Sequence, residues 1–171
     1  MPPFLRRLRR AGCLAATLAM LSATAVPAQD LRLSAPEAGT RMLAPDALRA
    51  LPAVTLETSF LTSRGEETGR FTGARLWDVL TAAGLVDPKD HHGIARSAVL
   101  VTARDGYAAL LGLGELAPDL EAKAVLVAYE RDGAALPEDR QPRLVIPGDR
   151  RGSRAVFAIA RIDILKPESP K

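Results

Sequence analysis

Two Asp-Gly dipeptides, each set between apolar runs, constrain this 171-residue chain more than any other feature. Ala98 to Ala103 and Tyr107 to Leu111 flank Arg104-Asp105-Gly106, and Ala124 to Tyr129 precedes Asp132-Gly133, which leads into Ala134-Ala135-Leu136. Glycine adopts positive φ without steric cost and aspartate tolerates it, so Asp-Gly between strand-like runs predicts a β-hairpin. A large part of the chain is therefore expected to pair antiparallel.

The remaining runs fill in around these hairpins. Val54 to Phe60 alternates apolar and polar residues and predicts a strand with one buried face. Thr62 to Gly69 is polar and reads as a loop. Leu76, Val79, Leu80 and Ala83 recur at helical spacing within a helix expected from Ala74 to Gly84, where the glycine is a natural stop. A shorter helical run, Ala47 to Leu51, follows Ala44-Pro45-Asp46 and ends at Pro52. Residues 87–93 read as a connection and Gly114 to Leu120 as a short helix or turn. Leu144 to Ile146 ends at Pro147-Gly148. Val156 to Leu165 predicts a last strand, with Arg161 and Asp163 on one side and Ile162 and Ile164 on the other. Strand, helix and then mostly strands point to an α+β fold with a mixed or antiparallel sheet, without repeated βαβ units.

Charge is distributed unevenly. The whole chain carries 23 Lys plus Arg against 20 Asp plus Glu, a net +3. Four arginines (Arg6, Arg7, Arg9, Arg10) precede an apolar stretch from Ala11 to Val26, and Val26-Pro27-Ala28 places small residues at the −3 and −1 positions of a cleavage site. Residues 1–28 thus read as a cleavable signal peptide, residues 29–165 as a single domain and residues 166–171 as a flexible tail. The expected location is periplasmic or secreted, with no stable membrane anchor after cleavage. From Gln29 onward 19 basic residues face 20 acidic ones. Near-neutral charge with 4% aromatics gives no footprint for nucleic acid. Cys13 is the only cysteine, so the cleaved chain has no thiolate for metal ligation, disulfides or nucleophilic catalysis.

Few residues carry chemistry by pattern alone. His91-His92 are the only histidines and read as a solvated loop, with a small hydrolase as the weakest functional reading. Gly112-Leu113-Gly114 lacks the third glycine and the helix of a dinucleotide fingerprint. Arg140 to Arg154 (RQPRLVIPGDRRGSR) is different, holding five arginines against the single acid Asp149. Guanidinium forks match oxyanions in bidentate geometry, and Gly148 and Gly152 allow close backbone approach. An anion pocket and a solvated loop both satisfy this composition.

Four segments read in order carry a family resemblance: Phe71 to Leu80 (FTGARLWDVL), Ala103 to Tyr107 (ARDGY), Val125 to Gly133 (VLVAYERDG), and Arg143 to Gly148 (RLVIPG) with Gly152-Ser153-Arg154. Together they resemble the molybdopterin-binding domain of the sulfite oxidase family, over Val54 to Leu165. The resemblance implies an α+β sulfite oxidase-type fold with a mixed β-sheet and few short helices. It also implies that Tyr107 stands near the cofactor metal, that Arg143 matches the arginine before the Val-x-x-Pro-Gly segment, and that Gly152 and Arg154 match the Gly-x-Arg that binds the pterin phosphate. With this, the anion pocket is favoured over the loop.

The chain departs from that family in three respects. The family's molybdenum-binding cysteine falls in a stretch that here reads Thr58-Ser59-Phe60, and a hydroxyl lacks the soft sulfur donor and the readily formed anion. The Lys-Trp pair expected after Gly-x-Arg is Phe157-Ala158. Cofactor-loaded relatives are exported folded, whereas this leader resembles one for unfolded chains. The expectation is a binding module for a small anion or a periplasmic partner protein, without a bound cofactor or metal. Its binding residues would be Tyr107, Arg143, Arg150, Arg151 or Arg154. The rival is a molybdopterin-dependent oxidoreductase with a non-cysteine ligand such as Ser59.

Overall fold

A computed structural model describes residues 29–167. The expected signal peptide lies outside the described residues, as do the last four residues of the expected tail. Lys166, the first tail residue, is tied down, its ammonium donating to Glu37 at 2.8 Å.

The chain opens with a hairpin, β1 (Leu31–Ala35) and β2 (Gly39–Leu43), followed by the one-and-a-half-turn helix α1 (Pro45–Ala50). Two long strands come next, β3 (Ala53–Thr62) and β4 (Gly65–Arg75), and then α2 (Leu76–Ala82), α3 (His91–Arg96) and the predicted hairpin of β5 (Ala98–Ala103) and β6 (Ala108–Gly112). After α4 (Leu113–Leu116) come β7 (Leu126–Arg131), β8 (Ala134–Ala135), β9 (Arg143–Val145), a single 3-10 turn at Gly152–Arg154 and β10 (Ile159–Leu165).

Both Asp-Gly hairpins form, by different turns. Asp132 and Gly133 have φ of 53° and 81°, the two successive positive values of the tight turn that matches strand twist. At the other hairpin Gly106 alone is positive, at 89°, in a longer loop where Ala103 N–H donates to the Tyr107 carbonyl at 2.8 Å.

The strands form two five-stranded sheets. One, ordered β2-β1-β10-β5-β6, is mixed, because β1 and β10 run parallel while its other pairs are antiparallel. The other is antiparallel, ordered β3-β4-β7-β8 with β9 also on β7. The fold is α+β, with a mixed sheet and few short helices.

Strand β7 explains how the core is divided. Val127 and Tyr129 face the main core shared with the first sheet, while Leu126 and Ala128 face a smaller cluster with Phe60, Phe71, Leu136 and Val145. Alternate residues of a strand point to opposite faces, so a strand buried on both sides serves two cores at once. Strand β9 repeats the alternation, with Leu144 in the main core and Val145 in the smaller one. Arg143, two residues before Val145, points to the same side as the smaller cluster.

Four boundaries differ from expectation. The polar Thr62 to Gly69 stretch is no loop; only its tip turns, and Gly65 begins an eleven-residue strand that pairs with β3 from Thr62↔Gly65 to Ala53↔Ala74. A neighbouring strand supplies the ladder whatever the polarity of the solvated face, which a hydropathy pattern cannot show. Phe71 to Ala74 continues that strand, so α2 starts at Leu76 instead of Ala74; its backbone N–H donates to Val125 at 2.8 Å. His91 and His92 open α3, capped by the Asp90 carboxylate, which accepts from Gly93 N–H at 2.9 Å. Finally, the last strand begins at Ile159 and not Val156, since Ala158 takes a φ of 48° that breaks the extended run.

Candidate functional site: a caged arginine

Arg143 is the largest fully buried side chain, 2% exposed, and it sits at the head of β9 against the smaller core. Three phenylalanine rings surround its guanidinium, with centroids at 4.3 Å (Phe157), 4.8 Å (Phe71) and 5.0 Å (Phe60). Each ring comes from a different element: Phe60 from β3, Phe71 from β4 and Phe157 from the segment before β10. Ring faces attract a cation, more strongly where water is excluded.

One carboxylate answers this charge. Glu67 Oε1 accepts from Arg143 Nη1 at 3.1 Å and from Arg131 Nη1 at 2.7 Å. Arg131 is further tied to the Thr68 carbonyl at 3.0 Å. The remaining donors of Arg143, Nε and Nη2, are buried without any hydrogen-bond partner. Burial pushes the Arg143 pKa down, an effect that Glu67 opposes and the like charges of Arg131 and Arg140 reinforce.

Two cavities, of about 430 and 520 Å³, meet at this side chain and share Thr62, Ser63, Glu67 and Phe157. The first is bounded by Phe60, Leu61 and the Gly152-Ser153 turn, and the second by Arg64, Arg131 and Arg140. Gly152 is required where it stands, because a Cβ there would lie 2.9 Å from the Phe60 ring. The turn is held to β3 by Leu61 N–H, which donates to the Arg150 carbonyl at 2.9 Å.

The four residues expected to bind a cofactor do not converge on one point. Arg143 and Gly152 line the first cavity. Tyr107 is 50% exposed, and its hydroxyl donates to the Ser153 carbonyl, which places it against the turn and off the cavity walls. Arg154 faces away and is committed to acids: Nε and Nη2 donate to the two Asp149 oxygens at 3.0 and 2.6 Å, and Nη1 stands 3.7 Å from Glu115. These contacts, the Asp149 hydrogen bonds foremost, raise its pKa. Arg151 lines the first cavity; Arg150 is exposed and contributes its carbonyl.

Ser59, the expected alternative ligand, is exposed on β3 and points opposite to its buried neighbours Thr58 and Phe60. The inward hydroxyl of that stretch is Thr58. His91 and His92 are exposed, and His91 Nδ1 lies 4.0 Å from Asp119, with no serine drawn to it. Among the described residues no three His, Cys, Asp or Glu side chains gather where they could hold a metal ion.

Glu67 lies in none of the motif segments; Phe71 and Arg131 fall within segments that carry the resemblance, and Phe60 and Phe157 within the stretches that depart from it, but the motifs give none of them a role at the site. A usable signal lies in Glu67, Gly69 and Phe71, which alternate along one face of β4, but the polarity of Thr62 to Gly69 masks it.

Comparison with known proteins bears on the whole arrangement. No curated protein matches the chain. Among solved structures, the sulfane dehydrogenase SoxCD from Paracoccus pantotrophus is similar, with a TM-score of 0.64 and 17% sequence identity. The match covers 81% of this chain and 38% of that one, so this chain spans well under half of its length. Residues 46–171 match the family described as oxidoreductase molybdopterin binding domain, a span that runs from the second residue of α1 through β10. By that match the chain belongs to the oxidoreductase molybdopterin-binding domain family.

Proposed function

We propose that this is an exported member of the family that binds a small anion at Arg143 without a catalytic molybdenum centre. The observation that carries this reading is the pair of unpartnered Arg143 nitrogens, buried within a side chain that borders two cavities. A buried donor without a partner costs about 1 to 3 kcal/mol, more when charged, and an arriving anion would recover it.

The donor set does not fit the molybdenum cofactor. Residues 29–167 contain no cysteine, Ser59 points out of the fold, and Arg154 is already neutralised by Asp149 and Glu115. Family membership alone supports the rival oxidoreductase reading. Export rests on the four arginines, the apolar stretch and the small residues at 26–28.

Two measurements test the proposal. Metal and pterin analysis of protein purified from its own compartment should find neither in stoichiometric amount; stoichiometric molybdenum would overturn the reading. Titration with simple anions should raise the melting temperature, and no stabilisation by any carboxylate, sulfate or phosphate would equally reject it.

A further inference from the structure

The unpartnered nitrogens of Arg143 are a defined pair. Nε and Nη2 form the side-on edge of a guanidinium, with two parallel N–H bonds, while Nη1 on the other edge is spent on Glu67. That edge fits the two oxygens of one carboxylate. Arg131 has a second carboxylate in Asp132, which accepts from its Nε at 3.2 Å, so the unmet demand is local to the Nε/Nη2 edge of Arg143, and a monoanion is enough to meet it. Arg64, Arg140 and Arg151 are exposed, so water already solvates them and they demand no counter-charge.

The surroundings decide what the carboxylate carries. Beside Arg143 the first cavity is walled by Phe60, Leu61 and Phe157. A doubly charged tetrahedral oxyanion would lose its hydration against aromatic and aliphatic surface, whereas an apolar carbon body gains by the same contact. We propose that the ligand is a monocarboxylate with an apolar body, its carboxylate on the Arg143 Nε/Nη2 edge and its carbons against Phe60, Leu61 and Phe157. Both nitrogens are closed off from the surface, so binding requires Phe157, which is partly exposed on the irregular segment before β10, to move aside. This inference rests on the anion-binding reading above and narrows it to one chemical class.

The test is calorimetric titration of the purified protein with acetate, butyrate, hexanoate and benzoate, beside sulfate and phosphate. Affinity should rise about fourfold for each added methylene, with hexanoate and benzoate well above both inorganic ions. Sulfate or phosphate binding more tightly than hexanoate overturns the carboxylate assignment and leaves the anion pocket standing. No binding of any anion removes both. Arg143→Lys keeps the charge and loses the fork, and should weaken hexanoate at least tenfold; unchanged affinity overturns the proposal. Should that variant fail to fold, Leu61→Asp serves instead, because Leu61 is already half exposed and the added charge repels a carboxylate. Unchanged hexanoate binding in Leu61→Asp overturns the placement of the carbon body.

Discussion

Glu67 on β4 and Arg143 on β9 are joined at 3.1 Å although β7 lies between their two strands in the sheet. Glu67 stands beyond the last β4–β7 pair, Phe71↔Arg131, so side chains alone make the contact, and it is the one carboxylate contact of a guanidinium otherwise enclosed by rings. Glu67→Ala would leave that cation buried without an anion. A loss of about 2 to 4 kcal/mol is expected from urea denaturation, moderated because Glu67 is itself partly exposed. Glu67→Gln, which keeps an acceptor oxygen, should cost less than the alanine change.

Arg154 has a different task. Its fork grips Asp149 within the turn that bounds the first cavity, so Arg154→Ala should lower stability by about 1 kcal/mol, seen as a modest drop in melting temperature. Anion affinity should stay within about twofold of the parent by calorimetry, because the side chain does not line the cavity. A tenfold loss of affinity would return Arg154 to the binding site.

Gly73 sits where the β4–β7 register shifts, opposite Ala128. A Cβ at this position would collide with the Val127 carbonyl oxygen and the Ala128 Cα, which are backbone and cannot swing aside. Gly73→Ala should therefore cost about 3 kcal/mol or more, readable as a reduced denaturation midpoint or as loss of soluble protein.

Acid should weaken the fold partly through Glu115. Burial tends to raise its pKa, but the Gly112 N–H at 2.9 Å, Lys123 and Arg154 together hold it below the ordinary carboxylate value. A carboxyl depressed in the folded state lends stability above its unfolded pKa, and that stability disappears as pH falls through the folded value. The fall should begin near the ordinary glutamate value, about 4.3, and continue below it. Glu115→Gln should flatten this part of the curve when melting temperature is followed from neutral pH to about pH 3; an unchanged slope would assign the acid sensitivity elsewhere.

Local signals sufficed for much of this fold. Asp105-Gly106 and Asp132-Gly133 carry their turn geometry in the residues themselves, and the alternation of Ile162 and Ile164 with Arg161 and Asp163 states which side of β10 is buried. The cage around Arg143 was less legible, because it is built from pairs far apart in the chain. Nothing near Glu67 reports that Arg143 lies 76 residues away, and a polar run reads as a loop until its partner strand is known. Arg154 is the opposite case. Its Gly-x-Arg motif is intact, yet whether a guanidinium is free depends on where Asp149 and Glu115 come to rest.

The parallel pairing of β1 with β10 has a consequence for how the protein assembles. Leu33 sits opposite Ile162, and Ser34 Oγ donates to Asp163 at 2.5 Å, so the first strand of the sheet has its inner neighbour in the last. Until β10 is in place, the β1-β2 hairpin has nothing to join it to β5, and the main core stays open along that seam. Closing so long a loop is entropically unfavourable until the final contacts repay it. A growing chain can form its two Asp-Gly hairpins early, but the sheet is zipped shut only by its final strand.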